Sequence, residues 1–278
     1  MDKFETYQIA RSLQSTPSCF KVLIDFYQQF KGVNNNKVFL DFSQIKFLDA
    51  NMTAFLDAVI YRLNCDCGHE FYVDAQDIDT RFEIFRRNGF LSNDSGQYTS
   101  FGSMESSIKL TRFSPVDDEA YYVYLDSQLF DHTAFRNIPK IKKDLINQFL
   151  EVFSNIHLHA QTKDPVFACG QYYPSKNLLK FTLVDLGVGF LEPISNFTKN
   201  KVNEPEKAIL WALDGNTTKT DHPGGLGLSS IKTYCEKNGH SFQIITDGYC
   251  WGNKLGSLSL RKLSHFPGTT ITLEFNCK

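Results

Sequence analysis

Three stretches of the sequence carry residue types and spacings that suit the chemistry of phosphate groups. Glu151 and Asn155 stand four residues apart in a segment of helical periodicity, so they share one helix face, and His159 follows one turn later. A carboxylate can accept a proton from an attacking hydroxyl, and an amide oxygen is a hard ligand suited to Mg²⁺. The alternative for this pattern alone is a solvated helix face that happens to carry these residues.

The second stretch is Asp185-Leu186-Gly187-Val188-Gly189, which directly follows an apolar, strand-like run over 178–184. The strand delivers a carboxylate to a loop, and the two glycines remove the Cβ atoms that would keep another group away from the backbone. An ordinary tight turn is the alternative, because short glycine patterns also occur by chance. A dinucleotide fingerprint does not fit, since no third glycine follows at the spacing that opens a helix.

The third stretch is the glycine-rich segment 223–228, which runs directly into a helical pattern over 228–237. The N–H groups at a helix N-terminus are unpaired and the helix dipole is positive there, so this segment could bind a phosphate. It is not a Walker A loop, because the Gly-Lys-Ser/Thr ending is absent. For Gly224–Gly227 a flexible hinge is the alternative.

The elements that must position these residues follow from the spacing of apolar side chains. In the second half of the chain this spacing predicts helices over 141–159, about 204–213 and 228–237, and strands over 121–125, 166–173, 178–184, 242–245 and 269–275. The connection over 190–223 is long, and connections of that length often serve as functional lids.

Taken in chain order, these motifs resemble those of a known family. Glu-x-x-x-Asn on a helix, Asp-x-Gly-x-Gly after a strand, a long loop into Gly-Gly-x-Gly-Leu, and Gly268-Thr269 at the last strand resemble the GHKL, or Bergerat-fold, ATP-binding domain. Histidine kinases, DNA gyrase, mismatch-repair proteins and heat-shock chaperones share that domain. The resemblance covers roughly residues 120–278 and implies ATP and Mg²⁺ as cofactors.

The resemblance also implies a role for each position. Glu151 would be the general base, Asn155 the Mg²⁺ ligand, and His159 would lie near the phosphates. Asp185 would accept a hydrogen bond from the adenine amino group. The rest of the site would comprise Gly187 and Gly189, which let the backbone close over the base, Gly225, Leu226, Gly227 and Leu228 at the phosphates, Thr269 beside Asp185, and Lys219, which could reach the γ-phosphate from the lid.

The first half of the chain has a different organisation. It alternates predicted helices over 19–31, 51–64 and 79–88 with predicted strands over 37–42, 45–48 and 69–73, which indicates a parallel or mixed sheet covered by helices. Residues 38–59 and 81–91 resemble the STAS family, the anti-sigma-factor antagonist fold.

That family often carries an Asp-Ser-Ser-Gly loop whose first serine is phosphorylated. The aligned residues here are Asp49-Ala50-Asn51-Met52, and Ala50 has no hydroxyl. The resemblance therefore implies that this unit is not a phospho-switch of the usual kind. It would serve as a docking or sensing module, or as a scaffold without a ligand.

We therefore predict an α/β (α+β) fold with two domains. A STAS-like mixed sheet with helices would span residues 1–108, and a Bergerat-fold α/β sandwich would span 109–278, with the boundary in the polar stretch near 105–115. The combination resembles the anti-sigma serine kinase switch with its two partners fused in one chain. A histidine autokinase is disfavoured, because His132 lies in a turn-like context and not on a long dimerisation helix.

Two classes of function follow from these resemblances. The first is an enzyme that hydrolyses ATP slowly or phosphorylates a serine or threonine of a partner protein, with Glu151 as base. The second is a non-catalytic switch, in which ATP closes the 190–223 lid and changes what the STAS-like unit binds. Either class implies a protein partner, and family members often form homodimers.

The bulk composition is consistent with both classes. A net charge of −2 gives no basic field that would indicate nucleic acid as a partner, and no apolar run is long enough to predict a membrane span. The first residues lack a secretory signal, and seven cysteines, an odd number, indicate reduced thiols in a cytoplasmic protein. Cys65-Asp66-Cys67 near His69 is incomplete for a structural zinc site.

Overall fold

The structure, a computed structural model, describes residues 4–9, 11–74, 76, 82–91, 106–132, 135, 139–218, 226–256 and 259–277. It has an α/β fold in which a seven-stranded sheet lies between two hydrophobic cores. Each of the seven cysteines lies in a described stretch and is a free thiol. Among the described residues, no helix is long and apolar enough to cross a membrane, and no cluster of His, Cys, Asp and Glu could hold a metal.

The described residues between 4 and 91 form what we call the N-terminal unit. Its elements are β1 (Phe4–Gln8), β2 (Ser12–Leu13), α1 (Pro17–Phe30), β3 (Lys37–Asp41), β4 (Phe47–Leu48), α2 (Met52–Cys67), β5 (Glu70–Val73) and α3 (Ile84–Arg87). Strands β1, β3 and β5 form a parallel sheet in the order β1-β3-β5, and β2 pairs with β4. The predicted alternation of helices and strands is confirmed.

Local chemistry sets the limits of the two long helices of this unit. The Thr16 side chain accepts a hydrogen bond from the N–H of Cys19 and caps α1, and Pro17 occupies the first turn, where no N–H partner is needed. Gly68, at φ 67°, ends α2 in the left-handed conformation that favours glycine.

The second half of the chain supplies the large sheet and the helices on one side of it. Its strands are β6 (Ser107–Phe113), β7 (Val166–Tyr173), β8 (Leu178–Val184), β9 (Ser241–Thr246), β10 (Tyr249–Gly252), β11 (Leu260–Lys262) and β12 (Thr269–Asn276). They pair antiparallel in the order β11-β10-β9-β12-β8-β7-β6. The helices are α4 (Asp118–Tyr124) with a π-helical turn (Leu125–Phe130), α5 (Pro139–His159), α6 (Leu191–Phe197), α7 (Pro205–Leu213) and α8 (Leu226–Lys237).

The central strands of this sheet are buried on both faces. Successive side chains of a strand point to opposite faces, so Ala168 and Leu183 enter the first core, on the side of α4, α5 and α8. Their neighbours Cys169 and Val184 enter the second core, which the N-terminal unit forms with the sheet. Helix α2 packs across β7 and β8 on that second side. The N-terminal unit therefore covers the face of the sheet that α5 does not.

The strand predicted over 121–125 is wrong, because these residues form α4 and the start of the π-helical turn. The aromatic and β-branched composition favours a strand. However, Tyr121, Tyr124 and Leu125 are the buried positions, at helical spacing, and the Asp117 carboxylate caps the helix by accepting the N–H of Ala120 at 2.9 Å.

Other elements differ from the prediction in extent. Strands β1, β2, β10 and β11 were not predicted. The expected domain boundary between residues 108 and 109 falls inside β6, which pairs with β7 from residue 107 onwards. The helix predicted over 79–88 lies partly outside the described residues, which show helix from 84 to 87.

The segment predicted as a lid is largely part of the folded body. Helices α6 and α7 occupy much of 190–223, and Ile209 and Leu213 of α7 are buried in the first core. Helix α7 also contacts α8 and β10. Helix α7 is therefore part of the folded body and not of a mobile lid.

Candidate functional site

A cavity of about 870 Å³, including its open mouth, lies on the helix side of the sheet. Its walls come from α5, from the ends of β8 and β12, and from α6, α7 and the segment after α7. The lining residues that carry the argument below are Asn155, His159, Asp185, Trp211, Leu228 and Thr269.

Asp185 is the buried carboxylate of this cavity, with 4% of its surface exposed. Strand β8 ends at Val184, so Asp185 lies directly after the end of a central strand of the sheet. Its Oδ1 accepts the N–H of Gly187 at 2.9 Å, and the hydroxyl and N–H of Thr269 also interact with the carboxylate. Burial raises the pKa of Asp185 to about 6, although these donors oppose the increase.

Thr269 stands beside Asp185 because β12 pairs with β8. The N–H of Asp185 donates to the carbonyl oxygen of Thr269 at 2.9 Å. Gly268, at φ 80°, precedes Thr269, and a Cβ there would overlap the carbonyl oxygen of Asp185. Glycine is thus required at 268 for both its conformation and its close contact. The sequence prediction that Thr269 lies next to Asp185 agrees with this geometry.

The two glycines of the Asp185 loop serve contacts within the protein. A Cβ on Gly187 would overlap Ala160 at the end of α5, whose carbonyl oxygen accepts the N–H of Val188 at 3.0 Å. A Cβ on Gly189, at φ 78°, would collide with the carboxylate of Asp247. Gly189 also lines the cavity, whereas Gly187 sets the distance between the loop and α5.

Helix α5 brings Glu151, Asn155 and His159 to one side, as their spacing predicts. Asn155 and His159 line the cavity, and His159 Nε2 lies 3.4 Å from the hydroxyl of Thr218. The Glu151 side chain lies against Gly227, where a Cβ would stand 3.3 Å from its carboxyl carbon. Its Oε1 is buried without a hydrogen-bond partner among the described residues. A buried carboxylate oxygen without a partner is costly unless a ligand or water satisfies it.

The start of α8 closes this side of the cavity. Leu228 lines the cavity together with Asn155. Gly227 is buried against Glu151, and neither of these two residues is among those that line the cavity. The helix begins at Leu226. Lys219 and Gly225, which the resemblance implicates at the phosphates, lie outside the described residues.

Sequence reasoning missed the wall opposite α5. Phe190, Trp211 and Thr218 line it. Asp247 fixes its position, because the Asp247 carboxylate accepts the N–H groups of Phe190 and Leu191 at 2.9 and 3.0 Å. The Asp-Gly pair at 247–248 predicts a hairpin turn, but no feature of the sequence indicates that its carboxylate holds a distant helix.

The loop around Ala50 lies on the other face of the sheet, in the second core. Ala50 is fully buried, and its N–H donates to the side chain of Gln171 at 2.9 Å. The amide of Asn51 donates to the hydroxyl of Thr182 at 2.7 Å. The sheet therefore separates this loop from the cavity.

Comparisons of this chain with protein-family models, with curated proteins and with solved structures found no match.

Proposed function

We propose that this chain is a regulatory ATP-binding protein of the GHKL type, which binds Mg-ATP in the cavity between α5, the sheet and α7. One observation carries the proposal. A single cavity combines a buried strand-end carboxylate, Asp185, with the Asn155 and His159 side chains of α5 and the beginning of α8. The N-terminal unit would be the STAS-like partner of this site.

The described residues fit such a ligand at both ends. Asp185 would accept a hydrogen bond from an exocyclic amino group of the base, with Thr269 beside it. Asn155 would ligate the cation, which supplies positive charge to the phosphates. The unpaired Oε1 of Glu151 would gain a partner from a water molecule of this assembly. The N-terminus of α8 would add its dipole at the phosphate end.

The catalytic version of the proposal is slow ATP hydrolysis or phosphoryl transfer to a serine or threonine of a partner. Glu151 would orient the attacking hydroxyl and accept its proton. Residue 50 of this chain could not be the acceptor, because it is an alanine, is fully buried and lies on the other face of the sheet. The acceptor in this version would be a serine or threonine of a partner protein.

A non-catalytic switch is the second candidate, and a contact of the Asp185 loop favours it. Leu186, in the middle of that loop, is buried in the second core together with residues of the N-terminal unit. Nucleotide binding at Asp185 would then change the packing of Leu186 in the N-terminal unit without any transfer of phosphate. In this version α7 would not belong to the moving lid, because its Ile209 and Leu213 are buried in the first core.

Tryptophan fluorescence offers a direct test of binding, because the chain has only two tryptophans. Trp211 lines the cavity, whereas Trp251 is buried in the first core with 4% exposure. We expect Mg-ATP to change the fluorescence of Trp251→Phe, which keeps Trp211, and to leave that of Trp211→Phe almost unchanged. Equilibrium dialysis with labelled ATP on both variants serves as the control. An absence of bound ATP in the wild type would exclude the proposed function.

Turnover separates the two versions of the proposal. If Glu151 is the base, Glu151→Gln should lower the release of labelled phosphate from γ-labelled ATP by about 100-fold or more, with ATP binding retained. Glu192→Gln on α6 is the matched control, because Glu192 is exposed and outside the cavity.

The fate of the label identifies the reaction. Free phosphate indicates an ATPase, and label on a co-purified protein indicates a kinase. If wild-type protein and Glu151→Gln both bind ATP and neither releases nor transfers label, the catalytic version is wrong and the switch is favoured.

A further inference from the structure

The N-terminal unit contacts both loops that form the Asp185 end of the cavity, from the side opposite the cavity. The first is the loop over 185–189. Its Leu186 is 4% exposed and belongs to the second core, not to the cavity wall. A side chain next to Asp185 in the chain is therefore packed as part of the N-terminal unit's own core, and the loop cannot shift without disturbing that packing.

The second loop leads into Gly268, whose backbone packs against Asp185. Phe266, two residues earlier, inserts between two rings of the N-terminal unit. Its ring centroid lies 5.0 Å from that of Tyr27 on α1 and 4.8 Å from that of Phe55 on α2. The side-chain amide of Gln28 donates to the neighbouring carbonyl oxygen, that of His265.

A third contact reaches the Asp185 loop through the connection between α5 and β7, residues 160–165. Asp164 in this connection accepts hydrogen bonds from the hydroxyl of Tyr61 at 3.2 Å and from the guanidinium of Arg62 at 2.5 Å, both on α2. Ala160, at the start of the connection, accepts the N–H of Val188. Helix α2 therefore holds one end of the short connection whose first residue accepts the N–H of Val188.

We infer that the N-terminal unit positions the base-binding end of the cavity through these three contacts, at Leu186, Phe266 and Asp164, which we call the clasp. The inference rests on the proposed function. Loops rich in glycine lose more entropy on ligand binding than rigid ones, so loops held in place bind more tightly. Because coupling between sites is reciprocal, a partner that loosens or tightens the N-terminal unit would change ATP affinity, and ATP would change partner affinity.

Two ion pairs between α2 and the rest of the chain provide a matched test. Asp164→Ala breaks the clasp at Arg62. Asp57→Ala breaks the bidentate pair of Asp57 with Arg112 on β6, whose contacts of 2.8 and 2.6 Å join the same helix to a strand that does not line the cavity. Arg62→Met removes the other partner of the Arg62–Asp164 pair.

We expect Asp164→Ala and Arg62→Met to weaken ATP binding about 5- to 30-fold and to reduce the preference for ATP over GTP, since the base end is disturbed. Asp57→Ala should change the ATP affinity and the preference for ATP over GTP by no more than about twofold, even if it lowers the stability more than Asp164→Ala does. The preference for ATP over GTP is the decisive readout, because a general loss of stability would not alter it. Equal effects of Asp164→Ala and Asp57→Ala on affinity would overturn the inference.

Amide hydrogen exchange tests the clasp without any nucleotide. The N–H of Val188 should exchange faster in Asp164→Ala than in the wild type and be unchanged in Asp57→Ala. Unchanged exchange at Val188 in Asp164→Ala would contradict the clasp. If the wild type fails to bind ATP but the variants show this exchange pattern, the proposed function is excluded, whereas the effect of the clasp on the Asp185 loop is established.

Discussion

Replacing Asp185 by Asn is expected to make the protein more stable at pH 7.5 and, at the same time, to weaken its binding of ATP. The ionised carboxylate is buried, and its pKa is raised from the ordinary 3.8 to about 6. A shift of this size corresponds to a cost of up to about 3 kcal/mol once the group is ionised. Asparagine removes the charge and keeps an oxygen that can accept the N–H of Gly187.

The sign of the pH dependence follows from the direction of this shift. Between about pH 4 and pH 6 the folded protein binds more protons at this position than the unfolded chain does, so the contribution of Asp185 to stability falls as the pH rises. The gain in the free energy of unfolding from Asp185→Asn should therefore be largest above pH 6 and vanish near pH 4. Urea unfolding at several pH values measures it.

ATP affinity should move in the opposite direction to stability. The variant places an amide where the adenine amino group would find an ionised acceptor, and loss of a hydrogen bond to a charged group corresponds to about 10- to 100-fold in affinity. Asp214→Asn, at an exposed position after α7, is the control and should change neither quantity. Undiminished ATP binding by Asp185→Asn would refute the assignment of Asp185 to the base.

The second large effect is expected at Lys180, on the face of β8 that meets the N-terminal unit. Lys180 Nζ lies 2.7 Å from Asp49 and 3.0 Å from Glu274, and the Asp49 side chain is 1% exposed. Burial alone would lower the pKa of Lys180, but these two carboxylates outweigh it and keep the pKa above its usual value. Tyr173 and Ser15 donate the remaining hydrogen bonds to Asp49.

Lys180→Met should lower the free energy of unfolding by about 3–5 kcal/mol, because it leaves the buried charge of Asp49 without its countercharge. Lys207→Met is the matched control. Lys207 pairs with Glu204 at 2.7 Å, but both side chains are more than half exposed, so we expect a change below about 1 kcal/mol. Denaturant unfolding of the full chain measures both.

The double variant Asp49→Asn with Lys180→Met isolates the electrostatic part. Once both charges are absent, the cost of the unpaired carboxylate disappears, and the double variant should be more stable than Lys180→Met alone. Equal stability of the two would mean that packing, and not charge, explains the loss. One cooperative transition in all variants is expected, since the network joins the N-terminal unit to the sheet.

Elements with regular periodicity and motifs with local spacing could be predicted from the sequence. The helix that carries Glu151, Asn155 and His159 and the strand that ends at Val184, just before Asp185, agree with their predicted positions, because a turn of helix or an apolar run is set by neighbouring residues. The α/β fold follows from the same patterns. The predicted strand over 121–125 failed where composition and spacing disagreed.

The contacts between the N-terminal unit and the loops of the cavity could be found only from the tertiary structure. Nothing local indicates that Leu186 is buried in the core of the N-terminal unit, that Phe266 inserts between Tyr27 and Phe55, or that Asp49 pairs with Lys180. These contacts join residues that are far apart in the chain. They form only if each side chain lies on the correct face of the sheet. The alternation of a strand allows both faces to be buried, but only the packed fold places the N-terminal unit on the second one.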